Sequence, residues 1–154
     1  MERRGGGAAG VMTRPVSGAV GEGTTGALAR MARTAYWVLA WTLVGCVAYQ
    51  VFLAGMAVFV SPLNWGRHVF FVHVFELIPV LMLLMGFAGR APKGRWFYMG
   101  PVALNFLIGL QYFFAHSGSS AVAALHTVNA LVIFWASAAL AQRAGQLRRQ
   151  DAEG

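Results

Sequence analysis

Two histidines in this chain carry an acid or amide three residues on, His73 with Glu76 and His126 with Asn129, and each follows a glutamine in the preceding apolar run, Gln50 and Gln111. The flanking stretches echo one another, Gln50-Val-Phe-Leu-Ala-Gly55 against Gln111-Tyr-Phe-Phe-Ala-His116. A neutral imidazole binds a metal through one ring nitrogen, and a hydrogen bond at the other nitrogen fixes its tautomer and bearing. On a helix, positions three apart share a face, so each His would present a paired polar group. Two imidazoles facing one another across a bundle suit haem b, which also needs apolar walls and cations at the water edge for its propionates. His73 and His126 are therefore the expected iron ligands. Gln50, Gln111, Glu76 and Asn129 are expected to orient them, with Phe70, Phe71, Phe75, Phe113 and Phe114 forming part of the walls. Arg67, six residues before His73, is the expected propionate partner.

Only certain elements could hold those residues in that way. The chain has 154 residues, 58% hydrophobic and 11% charged, whereas a soluble domain carries about 25% charged residues. A lipid bilayer is the matching solvent. Four apolar runs are long enough to cross a ~30 Å hydrocarbon core: Thr34 to about Val60, Arg67 to Ala88, Trp96 to Ala115 and Ala121 to Gln142. Ser61-Pro62-Leu-Asn-Trp-Gly66, the basic stretch Arg90 to Arg95, and Ser117 to Ser120 read as the connecting turns. The expected fold is all-α, a polytopic membrane protein built as an antiparallel up-down four-helix bundle with the second and fourth spans diagonal. Residues 1–33, rich in Gly, Ala and Thr, read as a disordered tail, and 143–154 as a polar one. Met31 offers a shorter start, and Leu43-Val-Gly-Cys46 fits a lipoprotein cleavage box, but the apolar run that follows Cys46 favours an uncleaved helix.

Charge sets the orientation. With both termini cytoplasmic, every one of the 12 Lys and Arg residues except Arg67 falls on the cytoplasmic side. Counting ~1.5 Å per residue, Gln50, His73, Glu76, Gln111, His126 and Asn129 then share an outer layer roughly 7 to 15 Å below the surface. His68 and His116 read as rim residues nearer the water. Gly45, Gly109, Ala123, Ala130 and Ala138 are the small residues expected to let helices approach closely.

The four-span layout, with His early in the second and fourth spans, resembles one half of the haem A synthase type of membrane protein and, more loosely, other membrane cytochromes of b type. That resemblance implies haem ligation by His73 and His126 and a redox role for Glu76, although the family acid precedes its His. The stretch from about Arg33 to Arg143, with Gln-x-Phe-x-Ala-Gly and a His followed by Asn, also resembles small uncharacterised four-span proteins of the bacterial cytoplasmic membrane.

The same residues admit other readings. His73, Glu76 and His126 could hold a single transition metal, iron or zinc, as two imidazoles and a carboxylate. With no cofactor at all, the polar layer would be interhelical glue in an accessory subunit of a larger membrane complex, or in a homo-oligomer. A transporter is disfavoured by the expectation of unbroken helices. The basic residues flank apolar spans rather than alternating with exposed aromatics, which argues against nucleic acid. The lone Cys46 excludes an internal disulfide, and no phosphate loop or nucleophile triad is present.

Overall fold

The computed structural model describes residues 19–89 and 94–153. It contains α1 (Ala19–Phe59), α2 (Asn64–Phe75), α3 (Ile78–Ala88), α4 (Trp96–Ala115) and α5 (Ser120–Glu153). No strand occurs among the described residues. Four helical stretches are long and apolar enough to cross a membrane: Gly26–Phe59, Asn64–Ala88, which joins α2 and α3, Trp96–Ala115, and Ser120–Gln150. The fold is an all-α bundle of the multi-pass membrane type. In lipid a helix satisfies its backbone groups within itself, which is why runs of this length adopt no other form.

α1 packs against the second span and against α5, while α4 packs against α3 and α5. The second span and α5 therefore occupy diagonal corners, as do α1 and α4. The start of α1, the end of α3, the start of α4 and the end of α5 lie at one end of the bundle, here the termini end; the α1–α2 and α4–α5 connections form the loop end. The core follows one stripe per helix. On α1 it comprises Tyr36, Ala40, Leu43 and Val47, met by Met82 of α3, Leu104 and Ile108 of α4, and Ile133, Leu140 and Ala141 of α5. Ala40 and Ala141 are fully buried and keep α1 and α5 close. Gly45 and Gly109, expected at such contacts, have nothing within 4 Å of where a Cβ would stand. Gly86 and Gly100 take that role. An added Cβ on Gly100 would overlap Leu140 at 2.6 Å, and one on Gly86 would lie 3.0 Å from the carbonyl oxygen of Phe97. Pro101, four residues after Phe97, has no N–H to offer that oxygen, so the bare glycine edge of α3 packs where α4 exposes it.

Two expectations are corrected. Residues 19–33 are helical rather than disordered, and residues 1–18 lie outside the described part; α5 carries the polar tail as helix to Glu153. The reason is tertiary. Ala29 and Ala32 are buried, Gly145 of α5 lies against the Trp37 indole, and the Arg148 guanidinium sits 4.3 Å from that ring's centroid. The second span, in turn, is not continuous. Glu76 and Leu77 separate α2 from α3, with ψ of −21° and −10°, flatter than the helical value of about −42°. Pro79 explains it: lacking an N–H, it leaves the Phe75 carbonyl without its helical donor, and it is well placed in the first turn of α3. The ladder resumes on either side, from the Glu76 N–H to Val72 O at 2.9 Å and from the Leu81 N–H to Leu77 O at 3.1 Å.

Candidate functional site

Between all four spans at the loop end lies a partly open cavity of about 230 Å³, with mainly apolar walls from α1, α2, α4 and α5. Its polar lining is supplied by Gln50, His68, Gln111, Tyr112, His116, His126 and Thr127. Gln50 is one helical step beyond the buried α1 stripe, so a glutamine there enters the bundle. The side-chain amide of Gln50 donates to the main-chain oxygen of His68 at 2.8 Å, and the His68 Nδ1 meets the main-chain oxygen of Gln50 at 3.1 Å. This reciprocal clasp joins α1 to α2 across the loop.

The second hairpin repeats half of that clasp. His126 Nδ1 meets the main-chain oxygen of Gln111 at 3.1 Å. Asn129 Nδ2 donates to Leu107 O at 2.8 Å and to Gln111 Oε1 at 2.9 Å, tying α5 to α4 and holding Gln111 still. A carbonyl oxygen only accepts, so Nδ1 of each ring carries the hydrogen and Nε2 of each neutral ring is a bare lone pair. The His68 and His126 rings lie 6.2 Å apart between centroids, tilted by 46°. The two imidazoles that face one another across the diagonal are therefore His68 and His126. Gln50 Oε1, buried in the same lining, has no hydrogen-bond partner among the described residues and is likewise an acceptor.

His73, the expected partner of His126, is elsewhere. It does not line the cavity, and its side chain is 55% exposed. Its Nδ1 lies 3.2 Å from Glu76 Oε1 and 3.2 Å from the Tyr112 hydroxyl, which donates to Glu76 Oε2 at 2.5 Å. This cluster bridges α4 to the break in the second span. The cause is register: Asn64, His68, Val72 and Phe75 form the inward stripe of α2, and His73 points off it. Glu76 does bond its His, as expected, but away from His126. A set of His73, Glu76 and His126 around one ion is therefore not assembled, and among the described residues no group of three or more His, Cys, Asp or Glu converges.

The remaining expected residues divide. Gln50 and Gln111 do orient imidazoles, though through their main-chain oxygens. Asn129 orients Gln111 rather than a ring. Arg67 lies at the loop end, donating to Asn64 Oδ1 at 3.1 Å, next in sequence to His68 and outside the cavity lining. Of the expected aromatic walls only Phe75 lines the cavity, and Phe70 and Phe113 face outward. Sequence reasoning missed His68 and Tyr112. A signal for His68 existed: it follows Gln50 by 18 residues and His126 follows Gln111 by 15, a closer echo than the 23 from Gln50 to His73.

Residues 50–121 match the model of a family of unknown function, DUF6220, a stretch that includes Gln50, His68 and Gln111 and stops short of His126. No curated protein and no solved structure matches the chain. The family match and the four apolar helices together fit a small multi-pass membrane protein similar to a family whose function is not assigned.

Proposed function

We propose that the chain is a membrane haem protein in which His68 and His126 would hold a b-type haem that would supply electron transfer. The observation that carries this is the facing pair of imidazoles. Two rings bound on opposite sides of one iron, at about 2 Å per nitrogen, have centroids roughly 6 Å apart, and the separation here is 6.2 Å. A structural zinc or a non-haem iron needs three or more protein ligands, whereas a porphyrin brings four nitrogens and asks the protein for two. The donor set favours the porphyrin. The Nδ1 bonds to the carbonyls of Gln50 and Gln111 would fix both rings and raise the basicity of Nε2. Arg67, beside His68 at the water edge, is suited to a propionate. The partly open cavity of about 230 Å³ is below the ~300 Å³ at which cofactor pockets begin, so it would not contain a porphyrin whole. Bound haem would supply a one-electron couple. The flanking arginines support a bacterial cytoplasmic membrane with both termini inside, which puts the site in the outer half.

A second reading has its own support. Gln50, His68, His126 and Asn129 each bond a main-chain oxygen of the neighbouring span, the use expected of interhelical glue in an accessory subunit. The experiment that separates them is absorption of the purified, detergent-solubilised full chain before and after addition of haem. A Soret band lost in His68→Ala and in His126→Ala but kept in His73→Ala is the expected result. A preparation that stays colourless with haem added overturns the haem reading, and loss in His73→Ala alone overturns the ligand assignment.

A further inference from the structure

At the termini end, two guanidinium groups from different helices gather on one indole. Arg143 of α5 lies 4.8 Å from the centroid of the Trp96 ring, and Arg95, at the start of α4, lies 5.7 Å from it. Both arginines and Trp96 are exposed. Among the described residues neither arginine is paired with a carboxylate. Of the five Asp and Glu residues in the sequence, none lies between Glu76 and Asp151, so the stretch that carries Arg95, Trp96 and Arg143 brings no carboxylate of its own.

An indole at the first residue of a membrane span sits at headgroup level, where its apolar face and polar edge meet matching surroundings. A guanidinium held over an indole keeps its planar fork of N–H donors for another acceptor, and that fork matches phosphate oxygens. Two such forks brought together at headgroup depth, neither paired with a carboxylate among the described residues, form a receptor for a phosphate diester. We propose that Arg95, Arg143 and Trp96 form a headgroup site for an anionic phospholipid in the leaflet at the termini end. A zwitterionic headgroup brings an ammonium that would oppose both cations, so the site discriminates by net headgroup charge. It does not depend on what occupies the cavity at the loop end.

The test uses the full chain in a mild detergent, mixed with equimolar phosphatidylglycerol and phosphatidylcholine of identical acyl chains, with retained lipid counted by native mass spectrometry. Preferential retention of phosphatidylglycerol is expected. Arg95→Gln and Arg143→Gln should each lower it about fivefold, and the double variant about thirtyfold. Arg149→Gln, an exposed cation on no indole, should change it less than twofold. Equal retention of the two lipids overturns the proposal, as does an Arg149→Gln loss as large as that of Arg143→Gln, which would mean diffuse attraction to basic charge. Inorganic phosphate at millimolar concentration should leave the lipid in place; displacement would assign the site to a free anion instead. Arg143→Lys keeps the charge without the flat fork and should fall between parent and Arg143→Gln, whereas retention equal to the parent would refute the role given to the fork.

Discussion

Replacing Pro79 with alanine tests whether the break in the second span sets the spacing of the two facing imidazoles. The substitution returns an N–H to the turn where the Phe75 carbonyl lacks one, so α2 and α3 can join into a straighter helix. His68 lies 11 residues before Pro79, a lever of about 16 Å. A relaxation of only ten degrees then moves the His68 ring by about 3 Å, whereas a binding constellation tolerates roughly 0.5 Å. The 6.2 Å separation from His126 would be lost, and with it the pairing of rings on which the proposed haem site depends. The regained hydrogen bond should leave stability equal to the parent or up to about 1 kcal/mol higher, so loss of the site could not be ascribed to unfolding. Spin labels at Phe70→Cys and Leu125→Cys, both outward-facing, in a Cys46→Ser background give the α2–α5 distance without reference to any cofactor. A shift of about 2 Å or more, together with a weakened Soret band, is expected. An unchanged distance distribution and an unchanged haem spectrum would show that the break does not position His68, and the lever argument would be wrong.

Two further outcomes test the packing that supports the site. Gly86→Val should destabilise the bundle by about 1–3 kcal/mol, because its Cβ would stand 3.0 Å from the Phe97 oxygen, while Gly109→Val, in open space, should stay within about 0.5 kcal/mol. Circular dichroism through a mixed-micelle unfolding titration measures both, and equal effects would refute the close contact. Asn129→Ala removes two bonds to α4 and should cost about 1–3 kcal/mol in the same assay, at ~0.6 to 1.7 kcal/mol per interhelical bond. A cycle with Gln111→Ala should return a coupling near 0.6 kcal/mol, and zero coupling would mean that the Asn129–Gln111 bond contributes nothing in the membrane.

Length and polarity alone determined the four spans, their up-down order and the diagonal placement of the second and fourth, because a backbone in lipid must close its own hydrogen bonds and short turns leave only antiparallel neighbours. The pairing of one Gln with one His in each hairpin was also legible, as a repeat. Which His turns inward was not. In water the apolar stripe of a helix marks its buried face, but lipid is as apolar as the core, and residues 69–89 are apolar on every side apart from His73 and Glu76. Nothing in the periodicity therefore separates the bearing of His68 from that of His73, and only the packed α2 stripe, with Asn64 and Phe75 buried, does so. The ends of α1 and α5 were hidden for a related reason. Their glycines, alanines and arginines have no amphipathic pattern, and they form helix because Ala29 and Ala32 find a partner surface in the tertiary structure.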